Sequence, residues 1–406
     1  MVNDFNQLFY QDSYQKSFDT VILSAEKYKN KNWLTFEKTC FYPLGGGQPG
    51  DQGFIQIIEE VDQNHQNGFV SEHKIKVLDT IWHDGVIWHQ VSQLLPIGSR
   101  IHGEIDFNRR YDLMQQHSGE HIISGIVNRK YGYKNVGFHI NEEETTFDFD
   151  GDLSWEEIEN LEIEANQAVL ENIPIEIYYL NKEEQKKWNF RSKIALDDQV
   201  RVVYIPNYDS CACAGTHVHS TAEIGLIKII NRESYKGGVR LTVLCGGRSL
   251  KYYQKLQTVL RDSTSLLSAN LDTLLMSIER KDEEINNLKE EIHQKNNAMI
   301  DLIIENQILN SDNKNIILEN NIFNKKELNY VVSQMAKKID GFVAILTKQG
   351  EKKYSLYLYS EHHQLKDNIS LLEKNLNFKG GGNKNLLQGR VCGKFKDIKT
   401  ILSEII

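Results

Sequence analysis

His117 and His121 stand four residues apart in QQHSGEHIISGIV, and Cys213 and His217 repeat that spacing in CACAGTHVHS. Imidazole and thiolate are the donors zinc prefers, and four of them complete a tetrahedral site. On a helix, positions i and i+4 share a face, so the two histidines can reach one ion. The second pair brackets Ala-Gly-Thr, a small-residue turn in which a thiolate and an imidazole can close together. The histidine pair alone reads more readily as two unconnected surface side chains, and Cys-x-x-x-His alone is similarly ambiguous. Together, flanked by short polar residues, they read as the ligands of one zinc ion per chain. Cys211 offers an alternative thiolate, although the spacing of Cys213 to His217 is the compact one. His219 points to the opposite face if this stretch is extended. Four protein ligands make a structural zinc, whereas a catalytic ion keeps a position for water. Such a water, its pKa lowered, supplies hydroxide for attack on an ester or amide. Both readings stay open at this level.

Two further segments carry candidate chemistry. In FYPLGGGQPGDQG (41–53), Gly45, Gly46 and Gly47 let the backbone approach a ligand closely and leave N–H groups free. The same three glycines also suit a hairpin turn, and the segment fits neither the P-loop nor the dinucleotide fingerprint. In GFHINEEETTFDFDG (137–151), alternation sets Thr146 and Asp148 on one strand face and Phe147 and Phe149 on the other. The polar face could read a small polar substrate group, or simply meet solvent.

These residues need elements to position them. A chain of 406 residues predicts two to four domains. Residues 1–100 read as short strands between Gly, Asn and Asp turns, the pattern of a small β-barrel. Residues 101–248 mix helices and strands. The histidines fall on a helix over 111–130, and a second helix runs from Trp155 to about Asn172 behind a Ser154 cap. From Arg248 to Gly341 neither Gly nor Pro intervenes, and Leu271, Leu274, Ile278, Ile285, Leu288, Ile292, Met299 and Leu302 fit a heptad seam broken by Lys281 and Lys295. A continuous helix over 250–309 would reach about 90 Å. Segment 249–320 is therefore expected to be a coiled-coil-like linker, pairing with a partner chain or folding back after an Asn-rich break at 310–315. Residues 321–406 read as a C-terminal α/β domain with strands FVAILT and YSLYLYS, a helix near 362–376 and a loop KGGGNKNLLQGR. The expected class is α+β, multidomain.

Composition narrows the setting. No run of about 18 apolar residues exists, so no membrane-spanning helix is expected, and the start, with Asp4, does not read as a signal peptide. Five scattered cysteines make no disulfide framework, which points to the cytoplasm. The charge is uneven. Residues 321–406 carry 15 Lys+Arg against 8 Asp+Glu, a local +7 within a total of −9, which leaves −16 on the first 320 residues. A basic tail on an acidic body can bind phosphates locally.

HSGEH and CAGTH, with FYPLGGGQPGDQG before them and VRLTVLCGGRSL after, closely resemble the editing domain of alanyl-tRNA synthetases and the free-standing AlaX editing proteins. The tail with GGGNKNLLQGR resembles the DHH-associated C-terminal domain of those synthetases, so the long AlaX type is the best match, over nearly the whole chain. No synthetase core precedes these segments, so aminoacylation is not expected. The resemblance implies hydrolysis of alanine tRNA mischarged with serine, and of the glycine-charged form. A site that accepts alanine cannot strongly reject an added hydroxyl, which is why a second sieve is needed. It further implies zinc on His117, His121, Cys213 and His217. Thr146 and Gln48 would act in catalysis, and Gly45, Gly46, Gly47, Gln48, Thr146 and Asp148 would position the substrate. Lys379, Lys384, Arg390 and Lys394 are the expected tRNA contacts, and a homodimer is expected through the linker or C-terminal domain. One departure is VGFHI (136–140), where the synthetases commonly carry glutamine; His139 is a polar candidate there, although a histidine packed in a strand is the plainer reading. Two other function classes fit the same residues: a non-catalytic, zinc-stabilised RNA-binding protein, and a zinc hydrolase of another small ester or amide.

Overall fold

The computed structural model describes residues 6–59, 73–192, 198–309 and 314–405 of an α+β protein with two compact units, Met1–Asp262 and Ser263–Ile406. In the first, a one-turn helix α1 (Leu8–Gln11) precedes strands β1 (Ser17–Tyr28), β2 (Lys31–Phe36), β3 (Gly53–Glu59), β4 (Ile75–His83), β5 (Val86–Val91) and β6 (Arg100–Ile105). They close into a barrel in the order β1-β2-β5-β4-β3-β6. Strand alternation turns Phe18, Ile22, Leu34, Ile55 and Ile101 inward as its core.

Helix α2 (Phe107–Tyr131) follows at once. Asp106 caps it by accepting from the Arg109 N–H at 3.1 Å, and Gly132, at φ 72°, ends it in the left-handed region. Residues Leu113 to Val127 are buried almost without interruption. A helix enclosed on all sides is normally apolar all round. This one carries Gln116, His117, Ser118, Glu120, His121 and Ser124 inside, so each needs a partner. Around it lie β7 (Asn135–Ile140), β8 (Thr145–Phe149), α3 (Trp155–Leu170), β9 (Glu176–Asn181), the one-turn α4 (Lys182–Gln185), β10 (Gln199–Ile205), β11 (Asp209–Ala212), β12 (Ile227–Tyr235), β13 (Gly238–Cys245) and α5 (Gly247–Leu266). A four-stranded antiparallel sheet, β12-β13-β8-β7, packs Phe147, Phe149, Leu241 and Val243 against Ile122, Ile126, Leu161 and Ala165 of α2 and α3. A three-stranded sheet, β11-β10-β9, carries the segment that leads into Cys213.

The second unit contains α6 (Leu274–Leu309), β14 (Ile316–Glu319), α7 (Lys325–Ala336), β15 (Phe342–Gly350), β16 (Lys353–Ser360), α8 (Ile369–Leu376), β17 (Lys379–Gly382), β18 (Leu386–Cys392) and α9 (Phe395–Ile405). Its sheet runs β14-β15-β16-β18-β17, with β14 parallel to β15. Among the described residues, no helix is long and apolar enough to cross a membrane.

Two expectations need correction here. The helix over 250–309 is not continuous: α5 ends at Leu266 and α6 begins at Leu274. Ser268 turns left-handed at φ 49°, with Ala269 N–H bonded to Thr264 O at 2.9 Å. Asn270 then caps the next helix, its Oδ1 accepting from Thr273 N–H at 3.0 Å. The seam residues Ile278, Ile285, Leu288 and Ile292 are exposed, whereas Ile300 and Ile304 of α6 pack into the cluster around α7. The segment KGGGNKNLLQGR is not a loop either: β17 and β18 pair through it, Gly380 opposite Gly389 and Lys379 opposite Arg390. The Asn-rich break at 310–315 lies mostly outside the described residues.

Candidate metal centre

Helix α2 presents His117 and His121 one turn apart, and the loop after β11 returns Cys213 and His217 to the same place. The ligand atoms of all four lie within 4.8 Å of one another. Cys213 Sγ is 3.3 Å from His117 Nε2 and 3.4 Å from His217 Nε2. Each ring is held by its other nitrogen. His117 Nδ1 lies 3.0 Å from Gln48 Oε1, His121 Nδ1 lies 2.8 Å from Asp209 Oδ2, and His217 Nδ1 lies 3.2 Å from Ser118 Oγ. A metal-binding imidazole needs this second contact to fix its tautomer and aim. The donor set, three imidazoles and one thiol, suits zinc.

Charge within the site matches that use. Burial works against a thiolate at Cys213, but the adjacent His117 and His217 hold it well below its ordinary value. Burial opposes a charged His121 most strongly, yet the hydrogen bonds to Asp209 and Cys213 and the nearby Glu120 charge together outweigh it and raise His121 to about 10. His217 is pushed down to about 3, chiefly by burial. Zinc takes a thiolate and neutral imidazoles, so His121 must release a proton on binding. Cys211 is differently placed. It is buried on β11 with its thiol pushed up by burial. It forms a second close set with His121 and Asp209. The Asp209 carboxylate in that set is already paired with Arg191 at 2.8 Å and with His121. Cys213, not Cys211, sits among the three imidazoles.

The glycine segment supplies the support for His117. Gly45 and Gln48 exchange backbone hydrogen bonds at 3.1 and 3.0 Å, and Gly46 and Gly47 take φ of 58° and 82°. Positive φ at both central residues is the two-residue turn of the type I′ class, which demands glycine. A Cβ on Gly47 would stand 2.4 Å from the Phe138 ring. Gln48 follows, fully buried, accepting from His117 and donating to Thr216 Oγ1 at 2.8 Å. Gly215 closes from the other side, where a Cβ would lie 2.1 Å from His117 Cε1. The foot of the turn is pinned by a buried ion pair: Arg110 Nε lies 3.0 and 2.9 Å from the two oxygens of Asp51. Arg110 also donates to Cys40 O at 2.7 Å and Ser13 O at 3.0 Å, so the guanidinium is satisfied.

Other expected residues are placed elsewhere. In β8, Thr145, Phe147 and Phe149 are buried toward α2, and alternation turns Thr146 and Asp148 to the opposite face of the sheet. Asp148 is held there by Arg240 at 2.6 and 2.8 Å. The structure therefore does not bring Thr146 or Asp148 to the candidate metal ligands, and it makes Gln48 a support for His117, enclosed behind the ring. His139 is exposed on β7, and His219 stacks on Tyr14 with ring centroids 4.0 Å apart. Lys379, Lys384, Arg390 and Lys394 are all exposed in the second unit. Sequence reasoning missed Asp209, Ser118, Asp51 and Arg110, whose roles depend on partners far along the chain. It also missed Glu120, a buried carboxylate that accepts from Ser124 at 2.7 Å and Asn135 at 2.6 Å and lies 3.9 Å from His121 Nε2. The HSGEH motif displayed Glu120, but adjacency alone assigns no contact.

Comparison with known proteins fits this geometry. The family model described as the threonyl and alanyl tRNA synthetase second additional domain matches residues 200–242, which hold Cys213 and His217. The chain is 27% identical to the alanyl-tRNA editing protein AlaX-L of Pyrococcus horikoshii, across 98% of this chain and 97% of that protein. It is 30% identical to the alanine–tRNA ligase of Ignicoccus hospitalis over 70% of this chain, but this covers only 31% of the ligase. The chain thus spans about a third of the ligases it matches. The crystal structure of the C-Ala domain from Aquifex aeolicus alanyl-tRNA synthetase overlaps 23% of this chain and 87% of that one, at 23% identity and a TM-score of 0.20, and no argument rests on it. The resemblance drawn from the motifs holds: this chain is similar to AlaX-L along nearly its whole length.

Proposed function

We propose that this chain, a near full-length relative of an alanyl-tRNA editing protein, is an aminoacyl-tRNA deacylase. Its substrate is alanine tRNA mischarged with serine, or with glycine, and the bond it hydrolyses is the aminoacyl ester. One observation carries the reading: three imidazoles turned Nε2-inward around Cys213, each fixed from behind by Gln48, Asp209 or Ser118. His117, His121, Cys213 and His217 would hold one zinc ion, which supplies a Lewis-acid charge beside the ester carbonyl. Gln48, Asp209 and Ser118 keep the rings aimed. The N–H groups of Gly46 and Gly47, at the tip of the turn, have no backbone acceptor among the described residues. They are disposed to donate to the carbonyl oxygen as it gains charge.

The rest of the chain serves the RNA. Residues 1–100 and 101–248 form the barrel and the deacylase domain, 249–320 the helical linker and 321–406 a tRNA-binding domain. Lys379, Lys384, Arg390 and Lys394 contact phosphates, and the exposed apolar seam of α6 or the C-terminal domain pairs two copies. The protein works in the cytoplasm, where tRNA is charged. The test is direct. Zinc-loaded protein incubated with serine-charged alanine tRNA should release serine and spare the alanine-charged form; a persistent seryl ester overturns the reading. A second reading has its own support, since four protein ligands complete a structural zinc site. A non-catalytic RNA-binding protein would retain zinc and bind tRNA while leaving the ester intact. Rapid loss of free esters or of unrelated charged tRNAs would instead mark a general zinc hydrolase.

A further inference from the structure

A cavity of about 390 Å³ in the first unit has Pro49, Gln52, Arg109, Leu113, Asn141 and Arg248 in its lining. Two of its lining residues neighbour His117 or its support along the chain. Pro49 follows Gln48, whose amide holds His117, and Leu113 lies one turn before His117 on the same face of α2, about 6 Å along the axis. The volume lies in the range of small-molecule sites.

Two independent features point to an anion. Arg248 gives Nε and Nη2 to Asp112, at 3.0, 3.0 and 2.7 Å. Its side chain is only 9% exposed, and its Nη1 is buried with no acceptor. A buried guanidinium N–H left unpaired is costly, so Arg248 gains when a small shift of its side chain brings Nη1 to an acceptor in the cavity. Arg248 is also the second residue of α5, and the N–H groups of Gly247, Arg248 and Ser249 precede the first intrahelical bond, from Leu250 to Gly246. The start of a 20-residue helix favours negative charge. Arg109, half-buried in the same lining, donates Nη1 to Gly50 O at 2.8 Å, and its other N–H groups have no acceptor among the described residues.

The cavity is not a plain anion hole. Asp112 and Glu142 also line it, so it can accept hydroxyl protons, and Pro49 and Leu113 add apolar surface. Phosphate, sugar hydroxyls and a flat apolar ring are the three parts of a nucleotide. We propose that this cavity seats the terminal nucleotide of the charged RNA. The phosphate would meet Arg248, Arg109 and the start of α5, and the base would lie against Pro49 and Leu113. This rests on the deacylase reading, because the ester to be cut is carried by that terminal ribose.

Equilibrium dialysis of adenosine 5′-monophosphate against the full-length, zinc-loaded protein tests it, with R109Q and R248K as variants. Wild type should bind the nucleotide, each variant should bind it about tenfold more weakly, and uncharged tRNA should displace it. On charged tRNA, both variants should raise KM about tenfold and leave kcat within about threefold. R109Q leaves the Arg248–Asp112 pair in place, so it decides the matter even where R248K fails to fold. Equal nucleotide binding by wild type and R109Q overturns the proposal. Nucleotide that tRNA cannot displace overturns it too, by making the cavity a site for free nucleotide. If no protein cleaves the ester, the deacylase reading fails, while dialysis still reports on the cavity.

Discussion

His121 differs from the other two histidines in having a carboxylate behind it, the strongest of the contacts that favour its proton. With no metal bound, Asp209, Cys213 and Glu120 together overcome burial and raise His121 to about 10 from an ordinary 6.5. The folded protein then binds a proton that the unfolded chain releases above pH 6.5. The resulting stability is fully present below pH 6.5 and is lost as pH rises toward 10. Metal binding has the opposite sign, because the proton must leave before Nε2 can ligate. Zinc affinity, measured by chelator competition, should therefore rise with pH across that window. In the metal-free protein the His121 contribution to Tm should fall over the same range, against the opposite contribution of Cys213, whose thiol is held below its ordinary value. Asp209→Asn should remove much of the falling contribution, so that Tm gains with pH relative to wild type, and weaken zinc binding by about 10- to 100-fold. An unchanged profile would remove Asp209 from this role. Cys213→Ala should abolish zinc retention by metal analysis, whereas Cys211→Ala should keep one ion per chain.

At the scale of elements, the site depends on how tightly the glycine turn and the 213–217 loop close on α2. Asp51 and Arg110 form a pair only 2% and 0% exposed, with Tyr42 N–H also donating to Asp51 at 2.6 Å. Asp51→Asn would strand a buried guanidinium, so a loss of about 3–5 kcal/mol is expected by urea unfolding. A loss under about 1 kcal/mol would show that the pair does not clamp the turn. Gly215→Ala should act more locally, pushing His117 off its position and lowering zinc affinity with little change in far-UV circular dichroism. Much of this was legible in the sequence. The i, i+4 spacing placed both histidines on one helix face, and Ser154 does cap α3 through a capping box with Glu157. The partners behind the rings were not legible, because Gln48 and Asp209 lie 69 and 88 residues from the histidines they hold. Thr146 was misplaced for a readable reason. The phenylalanines of β8 seek the core, α2 lies in that core, and so the alternate face had to point away from the histidines.

For the whole molecule, absence of Gly and Pro did not guarantee one long helix. Asn270 and Thr273 restart it by side-chain capping, and only the structure shows which apolar stripe of α6 packs on α7. The charge asymmetry, by contrast, was legible from composition and leads to a quantitative expectation. Lys379 and Arg390 face each other across β17 and β18 and line one cleft of about 480 Å³, together with Lys325 and no carboxylate. Three like charges without a counter-charge repel one another, a cost that binding a phosphate removes. If these side chains touch the tRNA backbone, each contact releases condensed counterions, and log K falls with log salt by about 0.7–0.9 per phosphate neutralised. The full-length double variant K379Q/R390Q should therefore bind tRNA more weakly at low salt, with a slope shallower by about two contacts. The two curves should converge as salt rises. Its kcat on saturating charged tRNA should stay within about twofold of wild type, since the four candidate metal ligands all lie in the first unit. A slope equal to wild type would take the cleft out of the RNA interface. A fall in kcat with the slope unchanged would mean that the tail acts on the chemistry rather than on the grip.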